Sequence, residues 1–362
     1  MLDRSLIKTF RDKVNSNSYF ALYKYSNAGD KNQWNVICSC MDWIEVAVDY
    51  LENSVFDTEN INVESMQVYT YISSIDIIWE SIQQLHRVII GDVLPFEMQK
   101  LIFKDNDICK NDNLYFKHIR AVFGAHPNNL DLYDKAEKWF ASWPSKEIYE
   151  DYDFAVTLYS LDVKKHDVVF GFRFIELEQF AKTRYEYLNQ LIVELDNQYN
   201  KYSKEKSNEI IESNEDISKQ LSILKTASRE RLNNDYYNYI IDDLIVMFDA
   251  VDKLGENKKL VAEYRNKLEL VILELKNNLQ QMVFQELRSD SIIEMRHPEE
   301  IHYALSKTFE YIRGTRDESM HSYHIKKISI FLKDQIIIHE NMDNKELYLL
   351  IKAGLHRYWS EQ

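Results

Sequence analysis

"WNVICSCMDWIEVAVDYL", residues 34–51, decides the fold class. Its apolar positions Trp34, Ile37, Met41, Ile44, Val48 and Leu51 are spaced 3, 4, 3, 4 and 3. An α-helix turns once in about 3.6 residues, so these six side chains fall on one stripe of an amphipathic helix. The same spacing recurs along the chain. Ile72, Ile75, Trp79, Ile82 and Ile89 mark a second helix over residues 64–90. Tyr264, Leu268, Val271, Leu275, Leu279 and Met282 mark a long one further on, and helical segments follow near 299–313, 317–338 and 344–359. At two or three heptads each, such stripes are core-facing bundle helices rather than coiled-coil seams. The 362 residues include only 7 glycines and 4 prolines, so little interrupts them.

The period changes once. In "DFAVTLYS" Phe154, Val156 and Leu158 alternate, and in "DVVFGFRF" Val168, Phe170, Phe172 and Phe174 do the same, with the polar "LDVKKHD" between. Two period-2 runs around a polar loop predict a β-hairpin near 153–175, with helix resuming from Glu176 to Gln198. Residues 197–220 hold many charges and few large apolar side chains. The expected architecture is therefore mainly α. A helical-bundle domain with a β-hairpin insertion spans 1–200, a polar connector 201–220, and a second helical domain 221–362. That length fits roughly two domains of about 150 residues.

Composition excludes several function classes. The formal charge is −15, from 59 acidic and 44 basic residues. Nucleic-acid binding needs Lys and Arg to replace phosphate counterions, so any such role must be confined to a local cationic site. No GxxxxGK[ST], GxGxxG or GxSxG occurs, which removes the usual nucleotide-binding loops and the serine nucleophile elbow. No nucleotide or metal cofactor is expected. The N-terminus lacks a signal-peptide core, and no run reaches the ~18 apolar residues of a membrane helix. Cys38, Cys40 and Cys109 form neither a disulfide framework nor a zinc set, so a cytoplasmic protein with reduced thiols and no membrane association is expected.

Two stretches carry candidate chemistry. In "NLYFKHIRAVFGAHPNN" (residues 113–129) Arg120 and His126 lie six positions apart, with Lys117 and His118 in a basic lead-in. In "RGTRDESMHSYH" (313–324) Arg316 is followed by Asp317 and, five positions on, by His321. Histidine transfers protons near neutral pH, and the permanently charged arginine fork suits phosphate oxygens. Together they suffice for RNA cleavage without metal. Both stretches resemble the motif of the HEPN superfamily of helical bundles: Arg, four to six residues, then His, often with a polar residue directly after the Arg. Asp317 matches that neighbour, whereas Ala121 departs from it. The resemblance covers these motifs and the helical character, over residues 30–200.

The resemblance implies a metal-independent endoribonuclease of bacterial stress or phage defence, toxin-like, with RNA as substrate and an antitoxin or regulatory protein as partner. It implies Arg120, His126, Arg316 and His321 as catalytic residues. Lys117, His118 and Asp317 are candidate substrate contacts. On an ideal helix, positions five or six apart lie roughly 120–140° apart around the axis, so one helix does not bring Arg and His together. The family solves this by pairing two motifs, which here means a homodimer or two domains of one chain. A metal-binding alternative rests on Glu294/His297 and Glu318/His321, with Glu274 and Glu310 as further ligands. A third reading is an acidic, non-catalytic helical interaction protein whose Arg/His pairs are structural.

Overall fold

The computed structural model describes residues 2–16, 18–26, 28–57, 59–104, 109–125, 130, 138–144, 151–162, 164–232, 236–314, 320–339 and 341–362. It is mainly helical with a small antiparallel sheet, and it divides into two compact units, 1–199 and 200–362.

The first unit begins with α1 (Arg4–Ser16), α2 (Ser18–Tyr25), α3 (Gln33–Asn53) and α4 (Ile61–Ile89). The α3 stripe faces inward as its spacing requires: Ile37, Met41, Ile44 and Val48 are buried and pack along α4. Both helices start on an asparagine. Asn32 Oδ1 accepts from the Asn35 amide, and Asn60 Oδ1 from Asn62 and Val63, satisfying donors that a helix start leaves open. On α4 the isoleucines at 72, 75, 78 and 82 are fully buried, each contributing about 1.5–3 kcal/mol of apolar burial.

After α5 (Asp112–Arg120) come β1 (Trp139–Ala141), β2 (Phe154–Ser160) and β3 (Val168–Phe172). The sheet order is β1-β2-β3, with Phe154 opposite Phe172 and Trp139 opposite Ser160. The hairpin reading thus gains a third strand. At three residues, β1 is too short to display an alternation. Phe154, Val156, Leu158, Phe170 and Phe172 turn inward, and the three phenylalanines form an aromatic layer with Phe116, Phe123 and Phe180. Gly171 lies against Tyr152, where a β-carbon would come within 2.4 Å of the ring, so this strand position requires glycine.

The single helix expected over 176–198 is two: α6 (Phe174–Tyr185) and α7 (Leu188–Asn208), separated by a turn at Glu186 and Tyr187. Tyr187 is buried and its hydroxyl bonds His86 Nδ1, which ties the turn to α4. Helix α7 also runs through the first part of the expected polar connector, whose non-helical portion is 209–216.

The second unit contains α8 (Ile217–Leu232), α9 (Asn238–Asp249), α10 (Lys258–Gln280), α11 (His302–Ile312), α12 (His321–Phe331) and α13 (Asn344–Ser360). Its core is built from the α10 stripe and from α13, where Leu347, Leu349, Leu350, Ile351 and Leu355 are buried. No helix among the described residues is long and apolar enough to cross a membrane.

Candidate functional site

Helix α5 positions the first candidate. Asn111 caps it by accepting from the Leu114 amide at 2.9 Å. Asp112, fully buried, accepts from the amides of Leu101, Ile102 and Phe103 and so locks the preceding loop to the helix start. Tyr115, Phe116 and Ile119 face the core, which leaves Lys117 exposed and Arg120 half-exposed at the last turn.

Beyond Arg120 the chain widens into a π-helical turn, Ala121–Ala125. Such turns are uncommon and recur at functional sites. Here the turn keeps Val122 and Phe123 buried in succession against the aromatic layer.

Among the described residues, Arg120 bonds a carboxylate rather than helix carbonyls. Its Nε stands 3.1 Å from Asp76 Oδ2, and its Nη1 donates to Asp76 Oδ1 at 3.4 Å. Asp76 comes from the middle of α4 and its side chain is 17% exposed, against 41% for Arg120. Burial raises the Asp76 carboxyl above its ordinary value; the Arg120 guanidinium opposes that rise, and Glu80 adds to it. A mostly buried acceptor therefore fixes the guanidinium through two nitrogens, while the side chain stays open to solvent. Arginine has five N–H donors, so Nη2 can serve another acceptor.

Asp76 was not a sequence candidate. Its signal is the run "SSIDIIW", a carboxylate set inside an apolar helical stretch, where a buried charge needs a partner. His118 lies edge-on to Phe170, 5.9 Å between ring centres, with Nε2 buried and unbonded. Burial lowers its pKa and so favours the neutral imidazole beside the sheet. Arg120 and His118, two positions apart, do not share a helix face.

His126, Arg316 and Asp317 lie outside the described residues. His321 opens α12 and stacks on Tyr311, ring centres 3.5 Å apart. For the metal reading, two of the proposed glutamates are engaged elsewhere. Glu274 accepts from the Arg288 and Ser289 amides, and Glu310 pairs with Lys307. Glu294 and His297 lie outside regular α-helix, where spacing by three no longer aligns side chains.

No protein-family model, no curated protein and no solved structure matches this chain.

Proposed function

We propose that the chain is a metal-independent, RNA-cleaving enzyme of HEPN type whose centre is Arg120 and His126. The observation that carries this reading is the Arg120–Asp76 pair: a half-exposed guanidinium, oriented by a mostly buried carboxylate, beside a π-helical turn that directly precedes His126 in the sequence. In the reaction the ribose 2′-oxygen bonds to phosphorus as the P–O5′ bond breaks. The 2′-hydroxyl loses one proton and O5′ gains one. His126 mediates one of those transfers and water the other. Arg120 stabilises the charge that accumulates on the non-bridging phosphate oxygens.

The test is cleavage of total cellular RNA in EDTA by wild type, Arg120→Ala, His126→Ala and His321→Ala. Activity that vanishes in the first two variants supports the reading, and its loss in His321→Ala as well extends the site to the second motif. Cleavage that survives in both Arg120→Ala and His126→Ala overturns it.

A second reading has its own observation. In a chain of charge −15, Asp76 neutralises much of the Arg120 charge, as in a purely structural ion pair. In that reading the chain is an acidic interaction protein, and RNA stays intact under every condition of the same assay.

A further inference from the structure

Helix α12 is locally basic. Its sequence, HSYHIKKISIF, contains Lys326 and Lys327 and no carboxylate, in a chain with 59 acidic residues. Both lysines are exposed. Helix α11 packs against it and contributes Tyr303 and Lys307, one turn apart.

His324 joins the two helices. It is buried at 8% exposure, with Nδ1 sequestered and unbonded. The Tyr303 ring stands 5.6 Å from it at 68°, and the Tyr323 ring 5.5 Å at 72°. The two tyrosines are therefore separated by no more than the sum of those distances. Yet they are 64% and 59% exposed. Lys307 and Lys327 both lie close enough to help hold His324 neutral, after burial itself. Lys307 also sits 5.4 Å from the Tyr303 ring centre, and Glu310 balances its charge with both carboxylate oxygens at 3.1 Å.

Exposed aromatic rings leave apolar surface in water and gain from stacking on a flat, polarizable partner. Rings flanked by unpaired ammonium groups match the alternation of base and phosphate in a single strand, because every base offers a π-face and every linkage an anion. Neither Lys326 nor Lys327 is in an ion pair among the described residues. A double helix hides its base faces, so a duplex fits less well. An acidic polypeptide matches the lysines but leaves the two tyrosines without planar partners.

We infer that the face formed by Tyr303, Tyr323, Lys326 and Lys327 docks single-stranded RNA, the tyrosines stacking on bases and the two lysines meeting phosphates. The inference stands independently of cleavage at Arg120.

Fluorescence anisotropy with a short labelled oligouridylate tests it, using the full chain carrying Arg120→Ala so that no substrate is cut. Tyr303→Ala and Tyr323→Ala are each expected to weaken binding about tenfold, whereas Tyr323→Phe, which keeps the ring, binds as the parent does. Lys326→Glu with Lys327→Glu is expected to flatten the dependence of log K on log salt by about 1.4, the contribution of two phosphate contacts on a single strand. Melting temperatures of all variants separate loss of binding from loss of fold. Absence of binding by the parent overturns the inference, as does equal binding by Tyr323→Ala and Tyr323→Phe. So does a preference for polyglutamate over RNA. Binding that persists when the wild type proves unable to cleave leaves this inference standing and removes only the cleavage reading.

Discussion

Two arginines in the first unit show how the same side chain is put to opposite uses. Arg184, on α6, is fully buried. Its guanidinium lies 4.0 Å from the Phe180 ring centre, 4.8 Å from Phe96 and 5.7 Å from Trp79. Among the described residues its Nη2 donates to Asn113 Oδ1 at 2.8 Å, while Nε and Nη1 are sequestered without acceptors. Burial pushes its pKa down to about 10, with nearby Asp112 opposing the shift. Arg120 is the reverse case, held by a carboxylate yet open to water. A guanidinium enclosed by aromatic rings serves the architecture, because no substrate can reach it. One that is oriented at the surface can meet a phosphate. Sequence spacing alone cannot separate the two, since both arginines lie near the end of a helix in aromatic surroundings.

The largest effect should come from Arg184→Ala, which empties the aromatic cage and leaves Asn113 without its donor. A stability loss of about 3–5 kcal/mol is expected in urea unfolding, in line with deletion of a buried charged group. Arg184→Met fills the same space without charge and should cost far less. If Arg184→Ala melts as wild type does, the contrast between the two arginines collapses.

Arg120→Ala should cost only about 1 kcal/mol, the scale of a half-exposed ion pair. It should nevertheless abolish cleavage. Asp76→Asn retains a hydrogen-bond acceptor but not the charge. It is expected to keep the fold within about 1 kcal/mol and to reduce cleavage about tenfold, because the guanidinium loses its orientation. An equal loss of stability in Arg120→Ala and Arg184→Ala would make both groups structural.

The smallest effect concerns His118. Its folded pKa is lowered, so below about pH 6.5 the unfolded chain takes up a proton that the folded chain resists. Stability therefore falls as pH drops from that value toward the lowered folded pKa. His118→Phe should flatten this part of the stability–pH curve while leaving the neutral plateau nearly unchanged. A curve of unaltered slope would show that His118 is not protonated differently in the two states.

How much of this was legible from residues follows the range of the interactions. The α3 and α10 stripes and the β2–β3 alternation are local patterns, and Ile37, Leu268 and Phe172 lie buried as those patterns require. β1 escaped because a three-residue strand exists only by pairing with Ser160, Tyr159 and Leu158. The break between α6 and α7 depends on Tyr187 reaching His86, 101 residues away in sequence. The Arg120–Asp76 pair joins residues 44 apart, so the motif displayed the arginine and not its anchor. The tyrosine–lysine face was hidden for a similar reason: Tyr303 and Tyr323 become neighbours only where α11 meets α12 at His324.

The most direct measurement of the central claim is the identity of the ends produced from a defined single-stranded RNA in EDTA. Attack by the 2′-oxygen predicts fragments ending in a 2′,3′-cyclic phosphate and beginning with a 5′-hydroxyl. These should be formed by wild type and absent with folded Arg120→Ala and His126→Ala. Intact RNA with folded wild type, or the same fragments from both variants, would contradict the account.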